Sequence, residues 1–487
     1  MKSIISKYKA LPVQLRSSFW FLICSFMQKG ISVISTPVFT RLLSTTEYGN
    51  FSTFNSWQSI VTVIVTLHMY SSVFQQGLVK FEDDNKVFAS SVQGLSFTLV
   101  CIWTGIYLCT KSIWNSIFDL TTVQVLAMLV MIWTSTVFNL WSTTQRVEYK
   151  YRLLVLITLI VSIAKPGLGV VFVIFAKDKV TARILGLLIV ELIGYSWMYI
   201  SQLKNGKVFY SRKYWVYAVQ FNLPLVPHYL SQIVLSNTDR IMIKSMVGAS
   251  EAGIYSVAYS LSMIMTLFNT ALLQTMTPWM YKKIKANKAS DISGIAYISL
   301  TIIAVLNLML IAFAPEAIAI FAPKTYYDAI YVIPPVAMSV FFLFLYSLFS
   351  NFEFYYEKRS WMMIASVAGA IMNLVLNSIF IRVFGYIAAG YTTLFCYIVY
   401  AIGHYIIMSK ICKSNMPGVI VYEKQKLLLL GLSFMALGFV LLFLYRYTLI
   451  RYIFILCFVG VMIIKRKDIL EKIKMLISLK QKKDIVQ

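Results

Sequence analysis

The chain has 487 residues, of which 59% are hydrophobic and 13% charged, and its formal net charge is +25. So apolar a composition excludes a soluble globular protein. Stretches of roughly 20 apolar residues, each long enough as helix to cross about 30 Å of hydrocarbon, recur along the whole length. Spanning backbone must satisfy its own polar groups, so the fold class is an all-α integral membrane protein.

In chain order the pattern predicts about fourteen transmembrane helices, near 17–40, 51–74, 88–109, 121–141, 153–176, 184–203, 216–238, 252–278, 291–314, 329–350, 361–381, 387–409, 427–445 and 449–464. The gaps around Lys111 and between Tyr445 and Arg451 are short, so two spans there can also be read as one hairpin or one long helix. The start, MKSIISKYKALPVQLR, is basic like a secretory leader. The apolar run behind it is too long and lacks a small-x-small cleavage site, so it reads as an uncleaved first span. The six cysteines show no paired metal-ligand spacing, which suggests neither a disulfide frame nor a metal site.

The basic residues are parcelled by side. With the N-terminus placed inside, alternate loops and the two ends hold 31 Lys and Arg on the inner side against 11 on the outer. That bias predicts both termini in the cytoplasm and an even number of spans. It also accounts for the charge without nucleic acid. The C-terminal tail KRKDILEKIKMLISLKQKK reads as a topology anchor or as a segment lying along anionic lipid headgroups.

Two stretches repeat. Glu47, Gly49, Phe51 and Ser52 align with Glu251, Gly253, Tyr255 and Ser256 at an offset of 204, and Glu148–Tyr151 aligns with Glu353–Tyr356 at 205. Six spans separate the copies, so both halves enter the membrane in the same sense. The expected architecture is two parallel-repeat six-helix lobes, residues 1–213 and 214–410, around a central cleft, with two additional helices and a basic tail in 411–487.

The stretches TPVFTRLLSTTEYGNFS, LSNTDRIMIKSMVGASEAGIYSVAYSL, FAPEAIAIFAPKTYYDAI and NLVLNSIFIRVFGYIAAGYTTLFCY resemble the polysaccharide-flippase branch of the multidrug/oligosaccharidyl-lipid/polysaccharide exporter superfamily. That resemblance implies a Wzx-type flippase of the bacterial cytoplasmic (inner) membrane. Its cargo would be undecaprenyl-pyrophosphate-linked oligosaccharide repeat units of O-antigen or capsule, moved from the inner to the outer leaflet. Its partners would be membrane lipids and, downstream, a polysaccharide polymerase with chain-length machinery.

A charge at mid-span costs about 2.5–3.5 kcal/mol and needs a partner or a wet cavity. Lys29, Lys165, Arg240, Arg41 and Lys244 are candidates for a positive cleft that holds phosphate or acidic sugar. Snorkelling, interfacial placement or structural ion pairs are the plainer roles for the same residues. Glu191 and Asp239 are candidates for proton or sodium coupling, or for ion pairs, Glu191 with Lys29 or Lys165. Pro224 and Pro227 in FNLPLVPHYL should break a helix, as a hinge or as a fixed kink. No catalytic residue, metal site or cofactor is expected: there is no phosphate-binding glycine loop and no paired carboxylates on a long loop. The competing functions are a cation-coupled multidrug or toxin exporter of the same superfamily, and a membrane glycosyltransferase or polymerase.

Overall fold

The computed structural model describes residues 13–464. The basic N-terminal segment and the tail from Lys465 lie outside them. The described residues form nineteen α-helices and no strand. Eleven helical stretches are long and apolar enough to cross a membrane. The other three expected spans coincide with helices that are either too polar or too short for that measure.

The chain divides into two compact units, Met1–Gly253 and Ile254–Gln487. The first contains α1 (Val13–Leu42), α2 (Thr45–Thr66), α3 (Ser72–Lys80), α4 (Asn85–Cys109), α5 (Lys111–Phe118), α6 (Thr122–Val147), α7 (Tyr151–Phe175), α8 (Lys179–Gly206), α9 (Arg212–Asn222) and α10 (Val226–Met246). Its core lies where α8 packs on α7, α6 and α4, and α2 packs along α10. α6 is the most enclosed of these spans, whereas α1 is barely covered. The start of α2 is set by a capping box. Ser44 N donates to Glu47 Oε2 at 2.7 Å, and Glu47 N donates to Ser44 Oγ at 3.2 Å. Thr121 and Gln124 build the same device at α6, at 3.1 and 3.3 Å.

α11 (Ala249–Ser262) leads from the first unit into the second. The second continues with α12 (Thr266–Lys285), α13 (Ile292–Ala312), α14 (Ala314–Phe321), α15 (Ile333–Tyr355), α16 (Arg359–Phe384), α17 (Ala388–Asn415), α18 (Lys424–Phe443) and α19 (Thr448–Ile464). α15 is the central element, 83% buried over its most apolar window, and packs chiefly on α17. The short gap around Lys111 contains α5, a separate short helix, and the gap near Tyr445 contains a 3-10 turn. The order of elements recurs: a 3-10 turn precedes α4 and α13, and a short helix follows each of them.

Two helices break within the first unit. Leu67 and His68 adopt left-handed φ values of 49° and 54° between α2 and α3, and a 3-10 turn at Leu223–Leu225 separates α9 from α10. Pro224 and Pro227 sit in and just after that turn, because proline cannot supply the amide that a continuous helix needs. The breaks face each other. Buried Asn222 donates Nδ2 to the freed carbonyl of Leu67 at 2.7 Å, and the His68 and Tyr229 rings lie 4.5 Å apart.

The two copies of the repeated motif meet. A Cβ on Gly49 would collide with the Ala249 carbonyl, and one on Gly253 would collide with the Thr45 carbonyl, while Thr45 and Ser250 share a hydroxyl hydrogen bond of 2.8 Å. Gly49→Ala is therefore expected to lower stability by about 1–3 kcal/mol through overpacking. Gly105→Ala, at a helical glycine with open space around it, should be neutral or slightly stabilising. Thermal melts of the purified variants in one detergent check both signs.

Candidate functional site

Polar side chains on three helices of the first unit fall at helical spacing. On α1, Ser25, Gln28, Lys29 and Ser32 repeat at three and four residues, and all four are exposed. Lys29 makes no ion pair among the described residues. On α2, Asn55, Gln58, Ser59 and Thr62 form a second, half-buried stripe. Ser59 and Thr62 donate back to the Asn55 and Gln58 carbonyls at 2.9 and 2.6 Å, which leaves the Asn55 and Gln58 side-chain amides uncommitted. On α10, Gln232 is exposed and Ser236 half-buried, with Arg240 one turn on donating Nη1 to the Ser236 carbonyl at 3.1 Å.

The other intramembrane charges are mostly engaged. Lys165 Nζ lies 2.6 Å from Glu191 Oε1, and Thr134 Oγ1 donates to Glu191 Oε2 at 2.6 Å, so both oxygens of this buried carboxylate are satisfied. Lys165 keeps about a third of its side chain open and stands 5.7 Å from the Tyr195 ring. Lys244 pairs at 2.7 Å with Asp119, an exposed residue whose φ of 52° ends α5. Arg41 is exposed and donates Nη1 to the Pro37 carbonyl at 2.8 Å. Asp239 is fully buried and Arg240 nearly so. The structure therefore joins Lys165 to Glu191 and Lys244 to Asp119, and leaves Lys29 on an open polar face.

Several polar residues escaped sequence reasoning. Arg183, counted among outer-loop charges, is buried with its guanidinium carbon 3.6 Å from the ring centroids of both Phe39 and Phe51. Glu353, part of the repeated anchor, is fully buried and 2.7 Å from Nδ1 of equally buried His404. Asn377 donates Nδ2 to Asn373 Oδ1 at 3.2 Å and accepts from Thr392, all three buried. Isolated polar letters inside apolar runs were the only signal for these. Their partners lie on helices distant in sequence or a full turn apart. Among the described residues, no group of three or more His, Cys, Asp or Glu gathers as a metal site would.

A many-helix apolar bundle whose polar groups pair at bilayer depth is a multi-pass membrane protein. Comparison with solved structures agrees. The chain superposes on a structure of the lipid II flippase MurJ in an inward closed conformation with a TM-score of 0.68 at 13% identity, over 92% of this chain and 99% of that one. An inward-facing multidrug resistance MATE family transporter of the MOP superfamily gives 0.60 at 14% identity, over 81% and 96%. At such identities the likeness is one of fold. An uncharacterized membrane protein of Haemophilus influenzae is 21% identical over 367 residues, 74% of this chain and 88% of its own length. The sequence pattern of the polysaccharide biosynthesis protein family matches residues 14–284, more than half of the chain. The chain belongs to that family.

The Lys165–Glu191 pair is a thermodynamic unit. Glu191→Ala should cost toward the lower end of about 3–5 kcal/mol, because it strands a partly buried ammonium. The double change Lys165→Met with Glu191→Met should recover most of that loss. Denaturation in one detergent of the parent, Lys165→Met, Glu191→Met and the double variant gives the coupling energy.

Proposed function

We propose that this protein is a flippase that moves undecaprenyl-pyrophosphate-linked oligosaccharide repeat units, of O-antigen or capsule, from the inner to the outer leaflet of the bacterial cytoplasmic membrane by alternating access. The observation that carries this reading is the open stripe Ser25, Gln28, Lys29 and Ser32 on α1. A lone ammonium on such a face is costly against lipid and favourable in a wet hollow. Lys29, the exposed part of Lys165 and Arg41 make that hollow electropositive, which suits a pyrophosphate. Family membership supports a role in polysaccharide biosynthesis, and the likeness to a structure titled as a lipid II flippase supports a lipid-linked cargo.

In this mechanism the sugar-pyrophosphate head is taken up at the cationic face of α1 while the polyprenyl tail stays in lipid, and two six-helix lobes, 1–213 and 214–410, alternate its access to the two sides of the membrane. The recurring element order supports the duplication behind those lobes. The helix break at Pro224 and Pro227 provides a bend for the motion, and Glu191 and Asp239 are the acids through which a proton or sodium ion would couple to it. Both termini lie in the cytoplasm, as the basic bias requires. The cationic face disfavours an exporter of cationic drugs.

Two measurements test this. Lys29→Ala and Lys165→Ala, made singly, should each reduce surface polysaccharide several-fold at matched protein level, and unaltered export in both variants would remove the cationic cleft. Lys29→Cys in a cysteine-free background should react with a membrane-impermeant charged maleimide, as only a water-filled hollow allows; failure to label in both membrane orientations would place the stripe in lipid.

A further inference from the structure

The first unit holds a second polar recess, away from the stripes. It lies among the start of α4, the end of α6, the start of α7 and the end of α8, and holds about 230 Å³. That is below the roughly 300–1,000 Å³ of drug-sized sites, so it admits only part of a larger molecule. The loops beside it, near 80–86, 146–152 and 204–213, are three of those on the basic side.

Its chemistry differs from that of a phosphate site. Among its lining residues are the side-chain amides of Asn85, Gln145, Gln202 and Asn205. Gln202 is anchored: it accepts from Gln93 at 2.5 Å and donates to Thr144 at 3.1 Å. Gln93 beneath it is fully buried, yet its Oε1 has no hydrogen-bond partner. The side-chain amides of Asn85, Gln145 and Asn205 make no hydrogen bond among the described residues, so their donors and acceptors remain available to a guest. Trp197 is 40% exposed and is held edge-to-face against buried Trp141, ring centroids 5.6 Å apart, which presents a fixed indole at the wall. The lining also holds Lys86, which makes no ion pair among the described residues, and the self-neutralised pair of Lys150 with Glu148 at 2.6 Å.

Uncommitted amides that both donate and accept, with a fixed indole, match a polyhydroxylated ring, whose hydroxyls do both and whose C–H face lies on an aromatic surface. The single unpaired ammonium of Lys86 is fewer cations than a pyrophosphate calls for. We infer that this recess is a sugar-recognition subsite, which reads the oligosaccharide head of the cargo on the cytoplasmic side before the pyrophosphate is engaged at the stripe of Lys29. The inference rests on the flippase reading above and adds to it the place where the sugar is sensed. Gln145 and Asn205 supply the discriminating hydrogen bonds and Trp197 the stacking face.

The test uses the full chain in nanodiscs, with Gln145→Ala, Asn205→Ala and Trp197→Ala as variants. Two probes are titrated: the lipid-linked oligosaccharide fraction extracted from a polymerase-deficient strain of the source bacterium, and undecaprenyl pyrophosphate without sugar. Each variant should bind the sugar-bearing lipid about tenfold more weakly, the loss of one or two hydrogen bonds or a stacking contact, and the bare lipid as the parent does. Equal parent-like affinity of all three variants for the sugar-bearing lipid overturns the subsite while leaving the flippase reading intact. So does a parallel loss of both lipids. A parent protein that binds neither lipid overturns both readings. Unchanged melting temperatures of the variants show that the fold is not what has moved.

Discussion

A polar group at bilayer depth must have a partner or water, and that single requirement organises this protein. Glu191 is tolerable because Lys165 and Thr134 occupy both of its oxygens. Glu353 and His404 are tolerable because each answers the other. Where no protein partner exists among the described residues, as at Lys29, water or the headgroups reached by snorkelling meet the same requirement.

The requirement extends to the backbone. A helix can be interrupted inside a membrane only if neighbouring groups take up the freed amides and carbonyls. The break at Leu67 and His68 meets it through Asn222, which stands at the other break, so the two irregularities are mutually satisfied. The glycine seat at Gly49 and Gly253 works in the opposite sense, letting backbones approach so closely that no side chain intervenes.

Within the first unit Lys29, Lys165, Arg240 and Lys244 lie on α1, α7 and α10, whereas the recess at the ends of α4, α6 and α8 gathers four amides and two indoles beside Lys86 and the Lys150–Glu148 pair. On the proposed reading, a cargo with an anionic link and a neutral sugar head would meet these two regions with its two ends.

Composition and hydropathy period by themselves determined that the chain is a many-span helical membrane protein and roughly where its helices fall, because these properties are written locally along the chain. The family resemblance was legible for the same reason: its motifs are helix starts such as Ser44–Glu47 and close-packing glycines, which are sequence-local features. Tertiary structure alone decided which charges pair. Lys165 finds Glu191 from the next helix, Lys244 finds Asp119 from across the unit, and Glu353 finds His404 fifty-one residues on. The Asn222 bond to Leu67 spans 155 residues, and the amide recess assembles from four helix ends. An ion pair depends on which helix faces which, and hydrophobic periodicity specifies that a face is buried without specifying what it is buried against.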